Sequence, residues 1–223
     1  MVTRLILVRH GEAEGNINRR FHGQTNSSLT PNGHLQAQKL AERLAKEKID
    51  VLYSSDLSRA YDTAKYISKV KNLEIHKIQG LREINGGEWE DVPWDELPIR
   101  WPEAYYHWEH QPHLLQMPGG ESMENFQRRV VTEIMKIVRE NEGKNICVAT
   151  HGTVIKALLC FFYGVSLEQF TKLKWHDNAS ITIVHIDEDR YTVVIEGDNM
   201  HLGELSTLAK QDWWKDKGKE EGK

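Results

Sequence analysis

Two histidines in this chain each follow an apolar run and precede a glycine. Arg9-His10-Gly11 closes Leu5-Ile6-Leu7-Val8, and His151-Gly152 follows Ile146-Cys147-Val148-Ala149-Thr150. A third junction, Ser54-Ser55-Asp56-Leu57-Ser58-Arg59, follows Ile49-Asp50-Val51-Leu52-Tyr53. A neutral imidazole is a competent nucleophile toward phosphorus. Neighbouring guanidinium groups lower its pKa and keep it neutral. A phosphoryl group in transfer spreads charge over three oxygens, and Arg9, Arg59 and His151 can donate to them without a metal. The leaving alkoxide needs a proton, for which Glu83 is the candidate. A carboxylate at the base of an apolar lid is desolvated, which raises its pKa toward useful acidity. Spacing alone leaves Glu83 equally suited to a salt bridge with Arg82 or to a solvated loop, and Glu88 and Glu90 compete for the role.

Taken singly, each junction reads as a polar surface loop. The elements around them make a set. An unbroken aliphatic run bounded by a turn signal predicts a strand buried on both faces. Such strands are expected at 5–8, 49–55 and 145–150, with a short one at 75–78. Thr30 as N-cap and Pro31 at the first helical position open a helix lined by Ala37, Leu40, Ala41 and Leu44. A second helix begins near Asp56 and carries Leu57, Ala60, Ala64 and Ile67. A long helix from Ser122 shows Met123, Phe126, Val130, Ile134, Ile137 and Val138, and another shows Val154, Ala157, Leu158 and Phe161. Ala179 to Ile186 and Tyr191 to Ile195 read as a hairpin turning at Asp187-Glu188-Asp189-Arg190. The alternation implies an α/β fold with a mostly parallel central sheet and helices on both faces. The ends of its parallel strands, and the helix N-termini beside them, share one edge, so two arginines and two histidines converge there. Residues 81–120, rich in tryptophan, tyrosine and proline, are expected to form a lid of short helices and loops.

The 223 residues suit one domain over 1–208, with a mixed-charge tail at 209–223. A net charge of −4 without a long basic run argues against a nucleic-acid partner, so a small anionic substrate would be held by a local cationic pocket. Cys147 and Cys160 sit in apolar patterns and suit the core of a cytoplasmic protein. The apolar N-terminal run is too short for a signal peptide, and no stretch approaches a membrane span. No phosphate-cradling Gly-x-x-x-x-Gly-Lys run occurs, and no acidic cluster has metal-ligand spacing. His107, His110 and His113 recur every three residues, but Pro112 interrupts them and a lid-packing or solvated role is expected. His176 and His201 have no company in the sequence. Trp213-Trp214 suit packing back onto the domain or contact with a second subunit, leaving an oligomer open.

At these residues the chain resembles the histidine phosphatase superfamily, in its phosphoglycerate mutase-like, cofactor-independent phosphatase branch. Leu7-Val8-Arg9-His10-Gly11-Glu12 carries the signature, followed by Asn16, Arg20, Gly23, Leu29, Thr30 and Gly33. Ser54-Ser55 with Arg59, Ala60, Thr63 and Ala64, then Leu81-Arg82-Glu83 with Gly87, Trp89 and Glu90, continue it in order. Gly119-Gly120-Glu121-Ser122 and Thr150-His151-Gly152 complete it. The resemblance implies the phosphoglycerate mutase-like fold. It implies that His10 is phosphorylated and then freed by water, that Arg9, Arg59 and His151 hold the phosphate, and that Glu83 donates the proton. Asn16, Arg20, His22, Gly23 and Gly152 are expected to bind substrate. His22 stands where glutamine is common, Asn26 where aspartate is, and Ser28 and Asp56 where proline is.

The expected activity is metal-independent hydrolysis of a small organic phosphomonoester, with no cofactor. Phosphoglycerate mutase is the alternative, and an inactive phospho-ligand scaffold is disfavoured because every catalytic position is filled. A mutase of this family typically carries a longer, basic lid for a doubly anionic substrate. Between Glu83 and Gln127 this chain has no lysine, and Arg100 is its single arginine.

Overall fold

The computed structural model describes residues 1–210. Trp213-Trp214 and most of the expected tail lie outside the described residues. The strands are β1 (Thr3–Arg9), β2 (Val51–Ser55), β3 (Ile75–Ile78), β4 (Asn145–Thr150), β5 (Ile181–Asp187) and β6 (Arg190–Asp198). The α-helices are α1 (Glu14–Ile17), α2 (Pro31–Leu44), α3 (Ser58–Lys71), α4 (Leu97–Arg100), α5 (Pro102–His110), α6 (Met123–Glu140), α7 (Gly152–Phe162) and α8 (Thr207–Lys210). One sheet has the order β3-β2-β4-β1-β5-β6. β1, β2, β3 and β4 are parallel, and β5 runs antiparallel to both its neighbours.

Alternation along β1 settles what covers each face. Leu5 and Leu7 join a core with Phe126, Val130 and Ile134 of α6 and Leu158 of α7. Ile6 and Val8 join another with Leu40 and Leu44 of α2 and Ile67 of α3. The connections from β1 to β2 and from β2 to β3 therefore cross one face, and those from β3 to β4 and from β4 to β5 cross the other. β1 and β4 lie side by side, yet their following helices pack on opposite faces. The crevice where the connections diverge is the place where open α/β sheets bind ligands.

Local chemistry fixes the element boundaries. Thr30 caps α2 through the Gly33 N–H, with Pro31 behind it, and Ser122 caps α6 through the Asn125 N–H. α3 starts at Ser58, two residues beyond Asp56, because Leu57 at its N-cap is extended, with φ −65° and ψ 135°. Its first turn is tied by Asn26, whose side-chain oxygen accepts from the Ser58 N–H and hydroxyl. β5 starts at Ile181 rather than Ala179, since Ala179 has a positive φ of 56° that no strand accommodates. Residues 81–120 fold as short turns with α4 and α5. Their rings pack around Phe21, which lies edge-on to Trp89 at 5.5 Å and to Trp108 at 5.8 Å and is tilted against Trp94 at 5.4 Å between centroids. Among the described residues no helix is long and apolar enough to cross a membrane.

The α6 cap supplies a simple check. Ser122→Ala leaves the Asn125 N–H without its side-chain partner and should cost about 1 kcal/mol. Urea unfolding is expected to show a lower midpoint with an unchanged slope; an unaltered midpoint would show that the cap contributes nothing.

Candidate active site

Register brings the two histidines together. Arg9 on β1 pairs with Thr150 on β4, so His10 and His151 leave adjacent strand ends. Their ring centroids lie 5.3 Å apart, edge to face. The His10 backbone is pinned on both sides: its N–H donates to Thr150 O at 2.9 Å, and its carbonyl accepts from the Ala179 N–H and the Asn178 amide. Gly11 is required by close approach, since a Cβ there would lie 2.6 Å from the Gly33 carbonyl oxygen.

His10 Nδ1 lies 2.7 Å from Gly11 O. A carbonyl only accepts, so Nδ1 carries the proton and Nε2 keeps its lone pair. Burial lowers the His10 pKa well below the usual histidine value, and the charges of Arg59 and Arg9 lower it further. Sequence reasoning named the arginines as the cause; desolvation is the larger one. The His151 pKa is lowered by the same burial and by Arg59, His10 and Arg9. His151 Nε2 meets Ser55 Oγ at 2.8 Å, and its Nδ1 is buried without a hydrogen-bond partner in the described protein.

Both arginines are held by carbonyls. Arg59, on the first turn of α3 and 2% exposed, donates through Nη1 to Thr25 O and through Nη2 to His22 O and Gly23 O, at 2.7 to 3.3 Å. Burial lowers its pKa to about 10, so it stays charged at neutral pH. Arg9 Nη1 donates to His176 O, and its Nε is buried without a partner. Among the described residues neither guanidinium forms a salt bridge. Gly152 lets Arg9 lie against the start of α7, where a Cβ would come 3.2 Å from Nε.

Glu83 is 8% exposed. Its oxygens accept from the Ile84 N–H at 2.8 Å and from the Thr153 N–H, in the first turn of α7, at 3.0 Å. Burial raises its pKa, and these N–H groups and Arg59 oppose the rise without cancelling it. The salt bridge to Arg82 does not form, because Arg82 grips Asp56 through two bonds of 2.6 and 2.7 Å. Of the competing acids, Glu90 has both oxygens occupied by backbone and hydroxyl donors, and neither Glu88 nor Glu90 lines the cavity.

A cavity of about 370 Å³ opens onto Arg9, His10, Arg59 and Glu83, with Asn16, Arg20, His22 and Gly152 also in its wall. His151 is fully buried behind His10. Gly23 is not in the wall, contrary to its expected substrate contact; its carbonyl instead holds Arg59 from behind. The rest of the wall is aromatic and of mixed charge: Phe21, Trp94, Asp95, Pro98, Tyr105, Trp108, Glu109 and Trp175, together with Arg19. Asn178, Thr153, Trp175 and Leu208 line it without having been singled out in the sequence. Asn178 was findable, because an antiparallel β5 beside β1 must begin at the edge where β1 ends. His176 is not solitary either: its Nε2 meets Glu196 at 3.0 Å and its carbonyl holds Arg9. His107, His110 and His113 are not part of a metal-holding group among the described residues.

Comparison with known proteins gives a consistent picture. The sequence profile of the histidine phosphatase superfamily (branch 1) matches residues 5–199. The chain is 34% identical over 208 residues to "Phosphoserine phosphatase 1" of Hydrogenobacter thermophilus, covering 93% of this chain and 98% of that one. It is 31% identical to a 2,3-bisphosphoglycerate-dependent phosphoglycerate mutase of Brucella anthropi, over 81% of this chain and 90% of the relative. Among solved structures, Bacillus stearothermophilus YhfR superposes with a TM-score of 0.86 at 33% identity, covering 90% of this chain and 99% of YhfR.

The buried charge of Arg59 opposes protonation of both rings, so removing it has a definite sign. In Arg59→Gln the pKa values of His10 and His151 should rise, while burial still holds them below the ordinary value. Titration of the ring nitrogens by NMR measures this; unchanged or lower values would contradict the electrostatic account.

Proposed function

The chain belongs to the histidine phosphatase superfamily, branch 1, and we propose that it hydrolyses phosphomonoesters through a phosphohistidine formed on His10. His10 Nε2 attacks phosphorus as the ester P–O bond breaks, and Glu83 passes its proton to the leaving oxygen, releasing the alcohol. The Glu83 carboxylate then takes a proton from water as that water attacks phosphorus. The N–P bond breaks, phosphate leaves, and Glu83 is protonated again. Arg9 and Arg59, which line the cavity, hold the phosphoryl oxygens throughout and supply the charge stabilisation, while His151, expected to share that task, is buried against the His10 ring and backs it. The observation that carries the reading is a desolvated imidazole with a free Nε2, set among two carbonyl-held guanidinium groups in one cavity with a buried carboxyl group.

The character of the lid supports hydrolysis over phosphoryl transfer on a carboxylated, doubly anionic substrate. Arg100 is spent on Glu96 at 3.5 Å and on the face of Trp101 at 4.3 Å, and it does not reach the cavity. The cavity wall from the lid therefore offers rings and carboxylates, which suits a small organic phosphate whose alcohol is partly apolar or carries an amine. Asn16, Arg20, His22 and Gly152 are the proposed substrate contacts. One domain over 1–208, with the lid at about 81–120, is the unit of activity. A cytoplasmic setting is supported by two buried free thiols whose pKa values burial pushes up to about 12 for Cys147 and about 11 for Cys160.

The test is free phosphate from a panel of O-phosphoserine, an aryl phosphate and 3-phosphoglycerate, with and without 2,3-bisphosphoglycerate. Phosphate is expected without any primer and is lost in His10→Ala. Primer-dependent interconversion of phosphoglycerates with little phosphate released would overturn the hydrolase reading. Glu83→Gln separates the acid from the nucleophile. Turnover of an alkyl phosphate should fall about 10²- to 10⁴-fold. p-Nitrophenyl phosphate, whose leaving group needs no proton, should suffer far less. Because burial raises the Glu83 pKa, the wild-type kcat on an alkyl phosphate should decline as pH rises through that value. The variant should lack this limb; a limb that persists would assign the acid elsewhere.

A further inference from the structure

The proposed chemistry gives no task to Glu90, a carboxylate beside the site. Glu90 Oε1 accepts from the Gln24 N–H at 2.7 Å and the Gly86 N–H at 2.9 Å. Oε2 accepts from the Thr25 N–H at 2.8 Å and the Thr25 hydroxyl at 2.5 Å. A carboxylate has about four acceptor positions, so this one is saturated.

What those donors belong to matters more than their number. The peptide group joining Gly23 to Gln24 gives its N–H to Glu90 and its carbonyl to Arg59 Nη2, at 2.7 Å in each case. A trans peptide is planar with its C=O and N–H opposed, so a single rigid unit stands between the glutamate and the guanidinium. Thr25 repeats the pattern, with its N–H and hydroxyl on Glu90 and its carbonyl on Arg59 Nη1 at 2.9 Å. Glu90 also holds the Gly86 N–H, three residues beyond Glu83, and the Gln24 side chain donates to Glu83 O at 3.2 Å. Packing leaves no slack, since a Cβ on Gly23 would lie 2.4 Å from Glu90 Oε1.

We propose that Glu90 is a positioning residue for the reaction. It fixes the 22–25 loop so that three carbonyls present the Arg59 guanidinium to the phosphoryl group, and it ties that loop to the segment bearing Glu83. This inference rests on Arg59 holding phosphate.

Glu90→Gln keeps the shape but turns one oxygen into an NH₂ group facing N–H donors. The KM for p-nitrophenyl phosphate and the inhibition constant of inorganic phosphate should both rise about tenfold. kcat should change less, and the alkaline pH limb seen on an alkyl phosphate should stay in place. In an Arg59→Ala background the same substitution should add less than about twofold, because both changes act through one contact. Equal losses in both backgrounds would mean that the glutamate only supports the fold, and would overturn the proposal. Loss of the alkaline limb would make Glu90 the acid and overturn it too. If Glu90→Gln does not fold, Thr25→Val removes one of the four donors and carries the test. It should raise the same two constants about threefold; unchanged constants overturn the proposal. Activity persisting in His10→Ala would instead strike the functional reading itself.

Discussion

The structure turns on two guanidinium groups taken out of water and matched to carbonyl oxygens. Burying a charge is costly unless it is hydrogen-bonded and paired. Here Arg59 and Arg9 donate hydrogen bonds to the carbonyls of His22, Gly23, Thr25 and His176, but no salt bridge among the described residues cancels their charge. The positive potential is thus left for the cavity, and a phosphoryl dianion is the natural complement. The same potential, added to burial, holds both imidazoles neutral. Burial is the larger cause of that neutrality, and the same two guanidinium groups add to it while forming the anion site.

Topology makes that arrangement affordable. Residues from four distant segments meet because β1 and β4 are neighbours whose following helices pack on opposite faces. The N-terminus of α7 then lies beside the crevice, and its Thr153 N–H binds Glu83. Just after β1, buried Glu12 accepts from Thr30, Asn32 and Thr207. Asp177 accepts from Ser206 and from the Thr207 and Leu208 N–H groups. These contacts bring Leu208 into the cavity wall and brace the loop that carries His176 and Asn178. Residues 94–108 add a wall of rings, and Trp108 stacks on Trp175 at 6.4 Å between centroids.

Much of this was legible in the sequence. The aliphatic runs before Arg9 and His151 report doubly buried strands, and the caps Thr30 and Ser122 report helix starts, because those signals are local. The convergence of Arg9, His10, Arg59 and His151 followed from parallel strands sharing an edge. Choosing among Glu83, Glu88 and Glu90 was not possible from spacing, since burial and donor supply depend on how the 22–25 loop folds against residues 83–90. The same holds for Gly23, where the sequence preserves a glycine but cannot say whether substrate or Glu90 occupies the space it leaves. Asn178 and Leu208 enter the wall through long-range packing that no local pattern records.

The central claim is that His10 Nε2 bonds to phosphorus, since Nδ1 is committed to Gly11 O. The most direct measurement is ³¹P NMR with mass spectrometry on Glu83→Gln quenched during turnover of an aryl phosphate. The account predicts phosphate on Nε2 of His10. Phosphate on Nδ1, on His151, or on no residue at all while turnover proceeds would contradict it.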